Sequence, residues 1–147
     1  MLPASQPLGI DQCNCSAIRK ASRQITRFYD AMLEPSGLRI TQYLTLAALS
    51  ELESAAINAL AERLDIERTA MGKMTGLLER DGLISITPSP LDARSRVVQL
   101  TKEGRELFQK TLPLWEEAQR QFTQLNGVKT VNSLRRDLAV MVVGDVG

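Results

Sequence analysis

The chain has 147 residues, of which 44% are hydrophobic and 24% charged, and this length and composition predict a single soluble globular domain. Its 18 basic and 17 acidic residues nearly cancel, which gives no support to a polybasic tail, so any nucleic-acid surface must come from the placement of charges. The sequence has no histidine and only two cysteines, which excludes His-dependent catalysis and zinc clusters, so we expect no catalytic site, metal site or cofactor.

Residues 1–12 predict a loose N-terminal arm, because they contain Pro3, Pro7 and Gly9 and show no apolar period. They also lack the basic flank and apolar stretch of a signal peptide. The longest uncharged run, residues 40–50, is much shorter than the ~20 residues that a membrane-spanning helix needs. We therefore expect a cytoplasmic protein that makes no contact with a membrane.

Two helices are predicted in the next part of the chain. Apolar residues at three-to-four spacing favour a first helix over residues 16–33, which the Pro-Ser-Gly segment at 35–37 ends. The same spacing favours a second helix over about 41–52.

The middle third predicts a helix-turn-helix followed by a hairpin. Residues 57–64 form a short amphipathic helix, and residues 68–81 form a second that stops at Gly82, a residue type common just past a helix end. Residues 83–87 and 96–100 are predicted as the two strands of a hairpin. A helix-turn-helix with such a hairpin is a winged helix.

The last third predicts two more helices. Thr101 can cap a long helix that ends at Asn126 and Gly127. A final helix, expected to stop at Gly144, carries an apolar stripe made of Val128, Val131, Leu134, Leu138 and Val142.

Three segments together resemble a known family. They are Leu-Ala-Glu-Arg-Leu at 60–64, residues 69–84 ending in Leu-Glu-Arg-Asp-Gly-Leu-Ile, and residues 92–104, where Asp-x-Arg is followed by a strand and then by Leu-Thr-x-x-Gly. In this order they resemble the MarR family of winged-helix transcription regulators, and the likeness in element order covers residues 16–143.

The resemblance implies a fold class that is mainly α with a small β-hairpin wing (α+β), in one MarR-like domain over residues 1–147. Residues 40–100 would form the winged helix-turn-helix, and residues 1–34 and 101–147 the dimerisation helices. It further implies a homodimer that binds a palindromic operator in double-stranded DNA and is released by a small aromatic or phenolic effector. We therefore predict a transcription regulator, a repressor, and not an enzyme.

The second helix of the helix-turn-helix carries the predicted DNA-reading face. Met71, Met74, Thr75 and Leu78 share one side of its helical wheel and are expected to face inward. The opposite side contains two glycines, each costing about 1 kcal/mol against alanine, which makes sense if DNA approaches closely; the alternative is an exposed helix that tolerates them. The DNA-contacting residues are predicted to be Arg68, Thr69, Gly72, Lys73, Gly76 and Arg80.

The hairpin is predicted to act as a wing. Arg94 at its tip can enter a minor groove, with Asp92 holding the guanidinium through a bidentate pair, and Arg96 is expected to contact phosphate. The alternative is an exposed ion pair without a function, worth about 0–1 kcal/mol.

Large apolar residues of the last two helices are predicted to form a dimer core, with ligand stacking as the alternative for the aromatic ones. They are Trp115, Phe122, Val131, Leu134, Leu138 and Val142.

Cys13 and Cys15 precede the first helix and admit two interpretations. They are either a buried, inert pair or a thiol-based redox sensor, since a helix start with Arg19 and Lys20 nearby favours thiolate chemistry. A strained i, i+2 disulfide would be less favourable than a bridge between subunits. A third hypothesis, of another class, is a helical protein-interaction module that does not bind DNA.

Overall fold

The computed structural model describes residues 9–141 and residue 144 of the chain. Within them, a central winged helix is preceded by one long helix and followed by two more, which we call the flanking helices. They are α1 (Asn14–Leu33), α2 (Ile40–Leu52), β1 (Ser54–Ala56), α3 (Ile57–Leu64), α4 (Arg68–Arg80), β2 (Ile84–Pro88), β3 (Arg96–Leu100), α5 (Lys102–Asn126) and α6 (Val128–Ala139).

Two sharp turns separate the early helices, as the sequence predicts. After α1 a 3₁₀ turn over Glu34–Ser36 leads to Gly37, whose φ of 78° is left-handed and suits glycine. Between α3 and α4 the left-handed position is Asp65, with φ 51°, a conformation that aspartate adopts more readily than most residues. This second turn sets the helix-turn-helix angle and therefore aims α4.

The strands form one antiparallel sheet in the order β1-β3-β2. Ala55 of β1 and Ile86 of β2 both pair with Val98 of the central strand. The sequence predicted β2 and β3, but not β1. Its residues, Ser-Ala-Ala, lack the β-branched and aromatic side chains that favour strands, so β1 is extended because it pairs with β3.

The hydrophobic core lies mainly inside the winged helix. Fully buried side chains come from α2, α3, α4 and β3, and they are Leu46, Leu49, Leu60, Met71, Leu78 and Val98. The flanking helices instead leave large apolar side chains exposed, namely Ile18, Leu125, Val128, Leu134 and Leu138. The winged helix thus encloses a core, although Leu44, Leu52 and Leu77 are exposed on its surface, whereas α1, α5 and α6 leave the most exposed apolar residues of the helices uncovered.

Two predicted boundaries need correction. α1 begins at Asn14, two residues earlier than expected, and Cys13 is its N-cap. α6 ends at Ala139 and not at Gly144, because Val140 already leaves helical geometry with φ −101° and ψ 1°, in line with the low helix propensity of valine. Val142, predicted to continue the apolar stripe, lies outside the described residues.

No helix in the described part of the chain is both long enough and apolar enough to cross a lipid bilayer.

Candidate nucleic-acid interface

α4 is oriented by a buried stripe, as the helical wheel predicts. Met71, Thr75 and Leu78 are fully buried, and Met74 is partly buried. The buried Thr75 hydroxyl donates to the carbonyl of Met71, 2.9 Å away, so this polar group is buried with a hydrogen-bond partner. The opposite side of the helix consequently faces outward.

The outward side of α4 is polar and open. The six residues of α4 that are predicted to contact DNA are all exposed: Arg68, Thr69, Gly72, Lys73, Gly76 and Arg80. A Cβ atom built on Gly72 or Gly76 would have no neighbouring atom within 4 Å. Packing within this chain therefore does not require either glycine, although each weakens the helix.

The wing tip is held by its own hydrogen bonds. Asp92 accepts a hydrogen bond from the backbone N–H of Arg94 at 3.0 Å. Its Oδ1 also lies 3.8 Å from the Nε atom of Arg94. The predicted bidentate pair is therefore wrong: the side chains make no hydrogen bond with each other, and the Asp92 oxygen that fixes the turn has only a loose, exposed contact with the guanidinium. The Arg94 side chain projects from the tip almost fully exposed, at 97%.

The structure adds joints between helix and wing that sequence reasoning missed. The carboxylate of Glu79, on α4, accepts a hydrogen bond from the backbone N–H of Ile86, on β2, at 3.2 Å. This contact fixes the wing relative to α4. Its sequence signal is only an acidic residue near the end of the helix.

A second joint ties the wing base to α5. The hydroxyl of Thr101 donates to the carbonyl of Gly82 at 2.6 Å and accepts from the N–H of Gly104 at 3.0 Å. Gly104 is buried against Leu83 so closely that an added Cβ would overlap the Leu83 carbonyl oxygen and lie 2.9 Å from its carbonyl carbon. The Leu-Thr-x-x-Gly segment noted in the sequence is therefore a close-approach joint, and we call it the Thr101–Gly104 joint.

Exposed cations stand on both α4 and the wing. Within the described residues, Arg68, Lys73 and Arg96 form no ion pair, while Arg80 lies 3.7 Å from Asp81 in an exposed pair. Such a pair is weak in water and leaves the cation able to meet a phosphate. The chain as a whole is nearly neutral, so a surface for nucleic acid depends on where these cations are placed and not on an excess of them.

A mostly apolar cavity of about 380 Å³ lies where α1, α2 and α5 meet. Tyr29 donates from its hydroxyl to Gln119 on the cavity wall. Burial raises the pKa of Tyr29, although Arg135 partly opposes this, so the hydroxyl stays protonated at neutral pH. The cavity joins the winged helix to the flanking helices, and its remaining lining is Ile25, Thr26, Ile40, Thr41, Leu44 and Trp115.

The residues predicted to form a dimer core divide into two groups. Trp115 stacks on Tyr43 of α2 at 6.0 Å between ring centroids, Phe122 lies 6.3 Å from Tyr29 by the same measure, and Val131 is buried. These three make contacts within one chain, and their place in a dimer core stays a prediction. Leu134 and Leu138 of α6 are exposed and remain available to a second copy.

The cysteines are not a buried pair. Cys13 and Cys15 are both free and exposed. The expectation that Cys15 stands just ahead of the helix is wrong, since Cys13 holds that position and its Sγ accepts from the N–H of Ser16 at 3.4 Å. The thiol at the helix start is therefore that of Cys13.

Comparison with known proteins assigns the helix-turn-helix and the wing to one family. A family model described as MarR family matches residues 36–95, which contain the helix-turn-helix and the wing tip. The crystal structure of the M. tuberculosis transcriptional regulator MosR in complex with DNA superposes with a TM-score of 0.79 at 38% identity, covering 87% of this chain and 92% of that one.

Two curated relatives come from Bacillus subtilis. The HTH-type transcriptional regulator YhbI is 33% identical over 94 residues, which are 64% of this chain and 59% of that protein. The organic hydroperoxide resistance transcriptional regulator is 29% identical over 100 residues, 68% of each chain. The similarity to YhbI thus spans less than two thirds of the relative's length.

Proposed function

This chain belongs to the MarR family of DNA-binding transcriptional regulators, and from that premise we propose that it is a repressor that binds a palindromic operator as a homodimer. In this proposal the outward side of α4 enters the major groove and Arg94 enters the adjoining minor groove. A dimer bound over a promoter would keep the transcription machinery off that DNA without having to contact it. A protein acting on operator DNA also fits the cytoplasmic location expected from the sequence.

The observation that carries the proposal is the open space beside Gly72 and Gly76, on either side of Lys73. Two glycines that weaken a helix and serve no internal packing are explained if an outside surface must come close to its backbone. The charged side chain of Lys73 then extends toward that surface between two positions that carry no side chain. A DNA groove edge, with its phosphates and base acceptors, matches this shape and charge.

Gly76→Ala is expected to separate folding from DNA binding. Alanine should raise the free energy of unfolding by about 0.5–1 kcal/mol, because it is the better helix former. It should weaken binding to a duplex selected from a random pool by about tenfold, because a methyl group then stands between helix and groove. Thermal unfolding and fluorescence anisotropy titration measure the two effects.

The matched control is Gln109→Ala, at an exposed position of α5. It should leave operator affinity unchanged. Equal or tighter binding by Gly76→Ala would show that this side of α4 does not approach DNA.

The proposed dimer rests on the uncovered apolar side of the flanking helices. Leu138→Arg is expected to give monomer or aggregate in sedimentation velocity, because it places a charge in a seam that should be apolar. Asn132→Arg adds the same charge at a polar, exposed position of α6 and should remain a dimer. A folded Leu138→Arg dimer would place the interface elsewhere.

The cavity between α1, α2 and α5 is the proposed effector site. Its volume of about 380 Å³ and its apolar walls suit a small aromatic molecule, and the Tyr29–Gln119 pair supplies a polar end. An occupant that displaced α2 from α1 and α5 would change the spacing of the two winged helices. A coupling of ~1–3 kcal/mol would weaken operator binding about 5- to 150-fold.

A second candidate function, thiol-based redox sensing, is favoured by the exposure of both cysteines and by the position of Cys13 at the start of α1. One relative is named for resistance to organic hydroperoxides. A hydroperoxide would take two electrons and two protons from two thiols, giving a disulfide, an alcohol and water. A bridge between subunits would then alter the flanking helices.

Replacing Cys13 and Cys15 by serine is expected to leave reduced-state operator affinity within about threefold of wild type, as for other exposed changes outside the interface. Titration with cumene hydroperoxide should release the wild type but not the double variant if the thiols are the switch. Equal release of both proteins would reject the redox candidate and leave the effector cavity as the control point.

A further inference from the structure

Leu91 is the most exposed large hydrophobic residue in the described part of the chain, with 97% of its surface accessible. Most of the other strongly exposed apolar residues lie on α1, α5 and α6 or next to them, where a second copy would cover them. Leu91 instead lies in the loop at 89–95, directly before Asp92 and three positions before Arg94. An apolar side chain displayed on a proposed DNA-contacting tip needs its own explanation.

The loop presents Leu91 in a defined place. The N–H of Ser89 donates to the carbonyl of Ser95 at 2.8 Å and closes the loop base. The N–H of Leu91 donates to the Ser89 hydroxyl at 3.2 Å, and Pro90 fixes the backbone just before it. The backbone of the tip is therefore restrained before it binds anything, which reduces the backbone entropy that is lost when Leu91 becomes covered.

We propose that Leu91 is a specificity-determining residue that packs against the sugars and floor of the minor groove beside Arg94 and selects A·T pairs by excluding guanine. This rests on the proposed function, because the wing must reach the groove. A·T pairs present acceptors at the groove floor, whereas guanine adds an N2 amino donor. A leucine covering that donor removes its water and offers no acceptor, which penalises G·C. Leucine is among the residues that proteins insert into minor grooves.

The test uses a duplex selected from a random pool by the wild-type protein, with one flank pair changed in each half-site. Wild type should bind A·T and inosine·cytosine flanks equally, because inosine lacks the amino group, and bind G·C about tenfold more weakly. Leu91→Ser offers an acceptor and should bring the G·C penalty below about threefold. Leu91→Met keeps the tip apolar and should retain the full penalty.

The slope of affinity with salt separates Leu91 from Arg94. Leu91→Ser removes no charge and should leave the slope unchanged. An unchanged G·C penalty in Leu91→Ser would overturn the proposal and leave the rest of the DNA interface standing. A changed sedimentation coefficient of the free Leu91→Ser protein would overturn it too, since Leu91 would then be a protein contact. If the wild type selects no duplex, the proposed function itself fails.

Discussion

Gly104→Ala is expected to lower the free energy of unfolding by about 3 kcal/mol, the upper end of the usual cost of overpacking. The new Cβ would overlap the backbone carbonyl of Leu83. Since neither partner is the end of a flexible side chain, no rotamer change relieves the clash, and the Thr101–Gly104 joint must open. For a domain of this size the melting temperature should fall by about 10 °C, measured at fixed protein concentration because the proposed dimerisation would shift it.

The control for this change is Gly72→Ala, also a helical glycine but one with open space at its Cβ position. It should melt at the wild-type temperature or higher. If Gly104→Ala melts like wild type, α5 can slide away from the wing base without cost, and the joint does not hold the two parts together.

Lys73→Ala is expected to cost about 1–3 kcal/mol of operator affinity if the ammonium group contacts a base edge. The exposed position of Lys73 between Gly72 and Gly76 brings its charge to the groove without a bulky neighbour. The loss should be confined to one symmetric pair of operator positions, where discrimination among base pairs weakens. Binding of Lys73→Ala to a library of single-base operator variants measures this, and a uniform loss would make Lys73 a phosphate contact.

Arg94→Ala provides the contrast, because its guanidinium is almost fully exposed at the wing tip and acts mainly by charge. Its loss should lower the slope of log affinity against log salt by about 1 per protomer. Base preference within the half-site that α4 reads should stay as in wild type. Unchanged affinity and slope would mean that the hairpin does not act as a wing.

Patterns that repeat along the chain could be predicted, and contacts between distant residues could not. The inward stripe of α4 follows from the 3.6-residue period, and the turn at Asp65 follows from the boundary between two amphipathic segments. Strand β1 has no such signal, since Ser-Ala-Ala is extended only because β3 lies beside it. The Glu79–Ile86 bond likewise depends on how α4 and β2 pack.

At the candidate site, the exposure of side chains could be predicted from the sequence, and the contacts between them could not. Exposure of Lys73 and Arg94 follows from the wheel and from the hairpin tip. The loose contact between Asp92 Oδ1 and Arg94 does not, because that oxygen also accepts from the Arg94 backbone N–H, whose position the sequence leaves open. Trp115 shows the same limit: an aromatic residue on a long helix can pack within its own chain, against a partner, or both, and its stacking on Tyr43 does not follow from the sequence pattern.

The Thr101–Gly104 joint also has a mechanical consequence. α5 has 25 residues, so at 1.5 Å per residue it is about 37 Å long. The first turn of α5 packs against and hydrogen-bonds to the carbonyls of Gly82 and Leu83, directly after α4. The N-terminal end of α5 is therefore coupled to the DNA-reading helix, and α5 can act as a lever on it. A tilt of only about 5° along that length moves one end by about 3 Å relative to the other. In the proposed dimer such a tilt would shift the two α4 helices out of register with major grooves about 34 Å apart. A small displacement at the C-terminal end of α5 would then weaken operator binding.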